Sequence, residues 1–172
     1  MQSQPTGGEG TPAGQLKQAE QLAPLRSAAM ASPQSAGAQF NLAKAYVELG
    51  RYEESLGPLE RAIALAPNEV LFHLMKGDTL AALGRYYEAL SASDYTLALA
   101  SQSQPALRAP ALVVKGAALH ALGRIEEALA AYDRALAIDS GLGMARRNKA
   151  RALRAAGREA EAQAVLAPFS PS

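Results

Sequence analysis

The chain has only two histidines, His73 and His120, and no cysteine. A metal or thiol site is therefore ruled out on sulfur, and an imidazole site would need further ligands gathered at fixed spacing. The two histidines stand at different places of a repeated pattern and neither joins such a cluster, so both are read as structural or surface residues. The paired acids Glu53-Glu54 and Glu126-Glu127 have the composition of a general acid–base pair. Each pair, however, follows a Gly-Arg dipeptide and opens an apolar periodic stretch, where the positive end of a helix dipole favours carboxylates. Gly141-Leu142-Gly143 has no following Lys-Ser or Lys-Thr and is no phosphate loop. One set of side chains does gather: Arg147, Arg151 and Arg154 are spaced by four and three, which places them on one helix face. Guanidinium groups so arranged suit bidentate contact with carboxylates. The chemistry legible here is binding; no catalytic residue, metal or cofactor is implied.

What must position these residues is a repeat. Gly50-Arg51, Gly84-Arg85, Gly123-Arg124 and Gly157-Arg158 are separated by 34, 39 and 34 residues. Each closes an apolar stretch and precedes acids: Glu53-Glu54, Glu88, Glu126-Glu127, and Glu159 with Glu161. Glycine enters the left-handed conformation cheaply and so ends one helix, while the acids begin the next. One helix-turn-helix unit is thus written four times, which is the mark of a solenoid.

Bulk composition agrees. With 172 residues, 49% apolar and 19% charged, the chain can bury a core as a water-soluble globular domain. A net charge of +1 gives no field that would by itself gather nucleic acid or a membrane. No stretch approaches the ~18 apolar residues of a membrane span, and no basic segment followed by an apolar run opens the chain. The expectation is a cytoplasmic protein, with an exported domain lacking its signal peptide as the alternative.

Along the chain, residues 1–13 are rich in glycine, proline and polar residues and read as a flexible tail. Residues 14–33 read as a half unit, a second helix without its first, because Glu20 to Leu25 aligns with Glu54 to Leu59, prolines included. Pro24 and Pro58 are expected to bend their helices or delay their start. Full units follow at 36–69, 70–103 and 109–142, then a terminal unit at 143–168 and a tail at 169–172. First helices are expected at about 36–49, 70–83, 109–122 and 143–156, and second helices at about 53–66, 86–100, 125–138 and 158–167. The five extra residues of the longer spacing fall in 101–108, read as a loop from its prolines and Ser-Gln pairs.

The residues inside the units resemble the tetratricopeptide repeat family. The first unit carries Leu42, Ala43, Tyr46, Gly50, Tyr52, Ser55, Leu59, Ala62 and Pro67 at the family's positions. The small residues recur as Ala43, Gly77, Gly116 and Ala150 on the first helix and as Ser55, Ala89, Ala128 and Ala162 on the second. Lys76, Lys115 and Lys149 stand where leucine is usual and are read as snorkelling, stem packed and ammonium in water. The resemblance implies an all-α fold, a right-handed solenoid of about nine helices in antiparallel pairs. It also implies that the first helices line a concave groove that takes a peptide or helix of a partner.

Mapped onto this sequence, that groove holds Phe40, Lys44 and Val47; Leu71, Leu74 and Asp78; Val113, Ala117 and His120; and Arg147, Arg151 and Arg154. Its middle is apolar and its end basic: from Gly143 through Arg158 there are six basic residues and no acid. The family's clamp for a C-terminal carboxylate is absent, because its places hold Phe40, Lys44, Met75, Pro110 and Val114. The resulting expectation is a non-catalytic adaptor for a protein or peptide partner bearing acidic groups. Two readings stay open beside it. One is a homo-oligomeric scaffold; the other is nucleic-acid binding through the arginine-rich last unit, ranked lowest because no aromatic residue stands there to stack on bases.

Overall fold

A computed structural model describes residues 12–101 and 104–167. Its hinges are the four turn glycines, Gly50, Gly84, Gly123 and Gly157, with φ of +70°, +75°, +76° and +74°. Each turn closes in the same way. The Arg51, Arg85, Arg124 and Arg158 N–H groups donate back to the carbonyls of Tyr46, Leu80, Leu119 and Leu153 at 2.9 Å. The glycine N–H donates to the carbonyl three residues earlier, so the last carbonyls of the helix are satisfied.

The described residues form nine helices and no strand, the all-α solenoid of helix pairs implied by the repeat. They are α1 Pro12–Ala31, α2 Ala36–Glu48, α3 Tyr52–Leu65, α4 Val70–Ala82, α5 Tyr86–Leu99, α6 Pro105–Ala121, α7 Ile125–Ile138, α8 Gly143–Ala155 and α9 Glu159–Leu166. Pro24 and Pro58 sit inside α1 and α3, which continue through them. Of the stretch 101–108, expected to be a loop, residues 105–108 belong to α6, while Ser101 and Gln104 are outside any helix. Pro105 takes the first helical position of α6, where its missing N–H costs nothing. Arg108 then donates to the Ala100 and Leu97 carbonyls at 3.0 and 3.3 Å, capping α5 from outside. The tails at 1–11 and 168–172 and the pair 102–103 lie outside the described residues.

The helices group into two compact units, residues 1–67 and 68–172. In the first, α2 packs against both α1 and α3. Leu22, Ala29, Leu42 and Tyr46 form its buried cluster. Polar contacts bind α1 there. Arg26 donates from Nε to the Tyr46 hydroxyl at 2.9 Å, and the Arg26 and Arg51 guanidinium groups flank the Tyr46 ring at 5.5 and 5.1 Å. Gln39, 3% exposed, donates to the Ala29 carbonyl and accepts from Arg61.

In the second unit, α6 packs on α4, α5, α7 and α8. The core runs through Leu112, Leu119, Leu129, Tyr132 and Leu153, with Ala128, Ala135, Ala150 and Ala162 fully enclosed between them. Small residues let paired helices approach, and the larger ones fill what remains. Among the described residues, α4 touches α6 and α6 touches α8, whereas no comparable contact joins α5 to α7 or α7 to α9. The first helices therefore crowd together and the second helices splay apart, so the α4–α6–α8 face is the inner side of this unit's curve.

Salt bridges repeat with the helices. Arg51, Arg85, Arg124 and Arg158 each hold the carboxylate three residues on, Glu54, Glu88, Glu127 and Glu161, through two hydrogen bonds of 2.5–2.7 Å. Those hydrogen bonds hold all four carboxyls below the usual carboxylate range. Two of the lysines read as snorkelling carry their ammonium to a carboxylate at the surface. Lys115 reaches Asp94 at 2.6 Å and Lys149 reaches Asp133, each on the second helix of the preceding unit.

Candidate functional site

The groove residues read from the sequence divide between the two units. In the first, Phe40 and Val47 are half-buried on α2, and Lys44 is exposed and pairs with Glu48 at 3.7 Å. In the second, the inner face carries the rest, set by the helical spacing of α4, α6 and α8. Leu71 and Met144 are 39% and 56% exposed, large apolar side chains left in water on that face. Leu74, Ala117 and His120 are half-buried beside them. Val113 does not belong to the surface: at 4% exposure it is part of the core. Because α6 is packed on four helices, a side chain that would be surface on an end helix is enclosed here.

Charge on this face is uneven. Asp78 is the sole acid of α4, α6 and α8. It forms no ion pair or hydrogen bond among the described residues, and loss of surrounding water pushes its carboxyl above the ordinary range even though its edge remains exposed. On α8, Arg154 turns aside to Glu159, with Nε 3.3 Å from the carboxylate. Arg147 and Arg151 are exposed and have no ion pair or hydrogen bond among the described residues. The structure thus leaves two of the three arginines unengaged.

Two features were not legible from residue spacing. The first is the Tyr132 hydroxyl, which has no hydrogen-bond partner among the described residues, on a ring that lies buried across α6 at the repeat-core position its spacing gave it. Burial pushes this phenol up to about 12, and the Arg151 charge works against that rise. The second is the state of His120, whose imidazole is pushed below its ordinary range by burial and then by the nearby Arg151 charge. His73 plays no part in this face. It packs on the Tyr95 ring at 4.6 Å, in a cleft between α4 and α5 that also includes Lys76, Tyr87 and Ser91.

The geometry can be set beside known proteins. Models of the tetratricopeptide repeat match residues 13–70 and 40–103, 109–142 and 143–168. The chain belongs to the tetratricopeptide repeat family. Solved structures share its fold. MamA from Desulfovibrio magneticus RS-1, residues 41 to the end, superposes with a TM-score of 0.74 at 19% identity, covering 87% of this chain and 81% of that one. PilW, a type IV pilus biogenesis factor, gives 0.76 at 20% identity over 91% of this chain and 73% of its own. The first tetratricopeptide repeat domain of Spaghetti (RPAP3), bound to the HSP90 peptide SRMEEVD, gives 0.64 at 21% identity over 72% and 94%. Among curated proteins, none matches the sequence. No described helix is long and apolar enough to cross a membrane.

Proposed function

We propose that this tetratricopeptide repeat chain is a non-catalytic interaction scaffold that holds a segment of a partner protein against the inner face of its second unit. The observation that carries this reading is the pair Arg147 and Arg151, exposed and without carboxylate partners, beside an apolar strip of Leu71, Leu74 and Ala117. By contrast, Arg85, Lys115, Arg124, Lys149, Arg154 and Arg158 in the same unit all hold a carboxylate. A face with small and apolar residues at one end and idle guanidinium groups at the other suits a segment with apolar anchors and acidic side chains. The RPAP3 neighbour, bound to a peptide rich in acidic residues, supports the reading that a chain of this fold can hold a short acidic segment.

The test starts with partners recovered by proximity labelling in the native cells, followed by calorimetry on the purified pair. Replacing Arg147, Arg151 and Arg154 together by alanine should weaken binding by about tenfold or more and flatten its dependence on salt. Equal affinity and equal salt slope for the variant would sink the reading.

A further inference from the structure

The first unit holds a cavity of 310 Å³ of its own. It opens between α1 and α3, each of which packs on α2, and α2 forms its floor. Ala29, Met30, Pro33 and Leu42 give it apolar walls, and Met30 stands 82% exposed at its mouth. Two guanidinium groups border the same cavity, those of Arg26 and Arg61. Each is anchored through Nε to a buried neutral side chain. Arg26 donates to the Tyr46 hydroxyl at 2.9 Å, and Arg61 donates to Gln39 Oε1 at 3.1 Å. Gln39 is fixed in turn by donating to the Ala29 carbonyl at 3.1 Å. This anchoring leaves the terminal Nη groups as donors. Arg61 has no carboxylate partner among the described residues, and Arg26 stands 4.0 Å from Glu54, which Arg51 already holds at 2.5 Å. The repeat does not require this arrangement. At the place of Gln39 the third unit has Leu112, and at the place of Arg61 the second unit has Tyr95. Leucine fills such a place without needing hydrogen bonds, so the distinct contribution of the buried Gln39 is to hold Arg61 at the cavity.

We propose that this cavity is a second docking site, which seats an apolar side chain of an extended partner segment while Arg26 and Arg61 hold the carboxylate of the adjacent residue. It does not rest on the docking reading above. It belongs to the other unit, and Gln39, Leu42 and Tyr46 form a stripe of α2 separate from Phe40, Lys44 and Val47. The lining states the chemistry of the occupant. A volume of this size is ordinary for a bound group, apolar walls favour an apolar side chain, and a methionine at the mouth adapts to its shape. Guanidinium groups tethered through Nε to neutral acceptors keep their charge for an anion, and their planar forks suit a carboxylate. Because arginines and apolar walls border one cavity, the two recognised groups must come from neighbouring residues. The exposure of Met30 shows that the cavity is open to water there, so a seated residue can remain part of a longer chain. Residues 1–11 carry one acid, Glu9, set between glycines, and residues 168–172 carry no acidic side chain, so neither segment supplies the pair.

The four methionines of the full chain make the test direct, because methyl labelling turns each into a reporter. Met30 borders this cavity and Met144 lies on the inner face of the second unit, so the two docking readings are seen apart; Met30→Leu and Met144→Leu assign the signals. Three blocked peptides in a glycine–serine frame are titrated: one with leucine beside aspartate, one with asparagine for the aspartate, and one with alanine for the leucine. Hexanoate is the small-molecule control. The leucine–aspartate peptide should shift the Met30 methyl saturably, and each counterpart should bind about tenfold or more weakly, for want of a charge-assisted hydrogen bond or of an apolar side chain. Arg61→Gln should weaken the first peptide by a similar factor, with an unchanged Met144 methyl as the check of fold. Gln39→Leu keeps the floor packed but releases Arg61, and it should weaken the peptide as well. A Met30 methyl that no peptide moves overturns the site, whatever happens at Met144. Equal binding of the asparagine peptide, or full affinity in both variants, overturns the role of the arginines. Hexanoate that shifts Met30 at the same concentration as the peptide overturns the segment. A Met30 methyl that shifts with the concentration of the chain alone makes a second copy the occupant and overturns the partner.

Discussion

Gly77 and Gly116 occupy the same place in successive units, yet the structure uses them differently. A Cβ at Gly77 would meet Ala92, Ser93 and Val114 at 3.5–3.6 Å, ordinary contact distances. A Cβ at Gly116 would fall 2.5 Å from the Tyr132 ring. Gly77→Ala should therefore be neutral or stabilise by up to ~1 kcal/mol, since alanine is the better helix former. Gly116→Ala should cost about 1–3 kcal/mol because an enclosed ring must move. Urea unfolding of the two variants decides the matter, and equal effects would contradict the packing described. The same tyrosine predicts an alkaline response. Its pKa is raised to about 12 in the fold by burial, so between pH 10 and that value the unfolded chain loses the proton while the folded chain keeps it. Stability should fall through that window, by at most ~1.4 kcal/mol per pH unit. Tyr132→Phe removes both the ionisation and an unpartnered hydroxyl, so its stability should decline less over the same window.

At the scale of elements, the turn does more than the brace beside it. Gly123 has φ +76°, and an alanine there should cost about 1–2 kcal/mol. Arg124→Ala breaks only an exposed pair with Glu127 and should lower the melting temperature less than Gly123→Ala. The pair has its own pH signature. Glu127 is held below the ordinary carboxylate range by Arg124, so its contribution is present at neutral pH and is lost as the carboxylate protonates on acidification. Arg124→Ala should flatten that acid limb. These turns were legible in the sequence because glycine, arginine and acid recur at a fixed period, and they bring the helix boundaries close to those observed. The extra turn of α6 was not legible, because prolines and Ser-Gln pairs look alike in a loop and at a helix start. Only the position of Pro105 and the reach of Arg108 to the α5 carbonyls tell them apart. On the inner face, the four-residue spacing of Arg147 and Arg151 announced a shared face. It could not show that Glu159 diverts Arg154 or that α6 is enclosed deeply enough to bury Val113. The lysine–aspartate ladder did leave a signal, since Asp94 and Asp133 recur at one place of the unit, but spacing alone does not say that Lys115 and Lys149 reach them.

Across the described helices burial is uneven, and in a stack of repeats local stability follows it. Within the second unit, α6 buries eight residues and α7 five, whereas α9 buries only Ala162 and leaves Leu166 42% exposed. In the first unit, α1 places Leu22 and Ala29 in the core but leaves Leu16 and Met30 65% and 82% exposed. Local opening should therefore be easiest at α1 and α9 and hardest at α6 and α7. Native-state hydrogen exchange should show amide protection rising from α9 through α8 to α7. Leu153→Ala, which empties a fully enclosed site between α8 and its neighbours, should speed exchange in α8 and α9 well before α4 and α5. Uniform protection along the second unit, or an equal response to that substitution everywhere, would show a single cooperative block and refute the gradient. The gradient bears on binding as well. Arg147 and Arg151 lie on α8, next to the end that opens most easily, so a docked segment must order the helix that holds it. Bound partner should then slow exchange most in α8, more than in the already protected α6, and a reversed order would place the contact elsewhere.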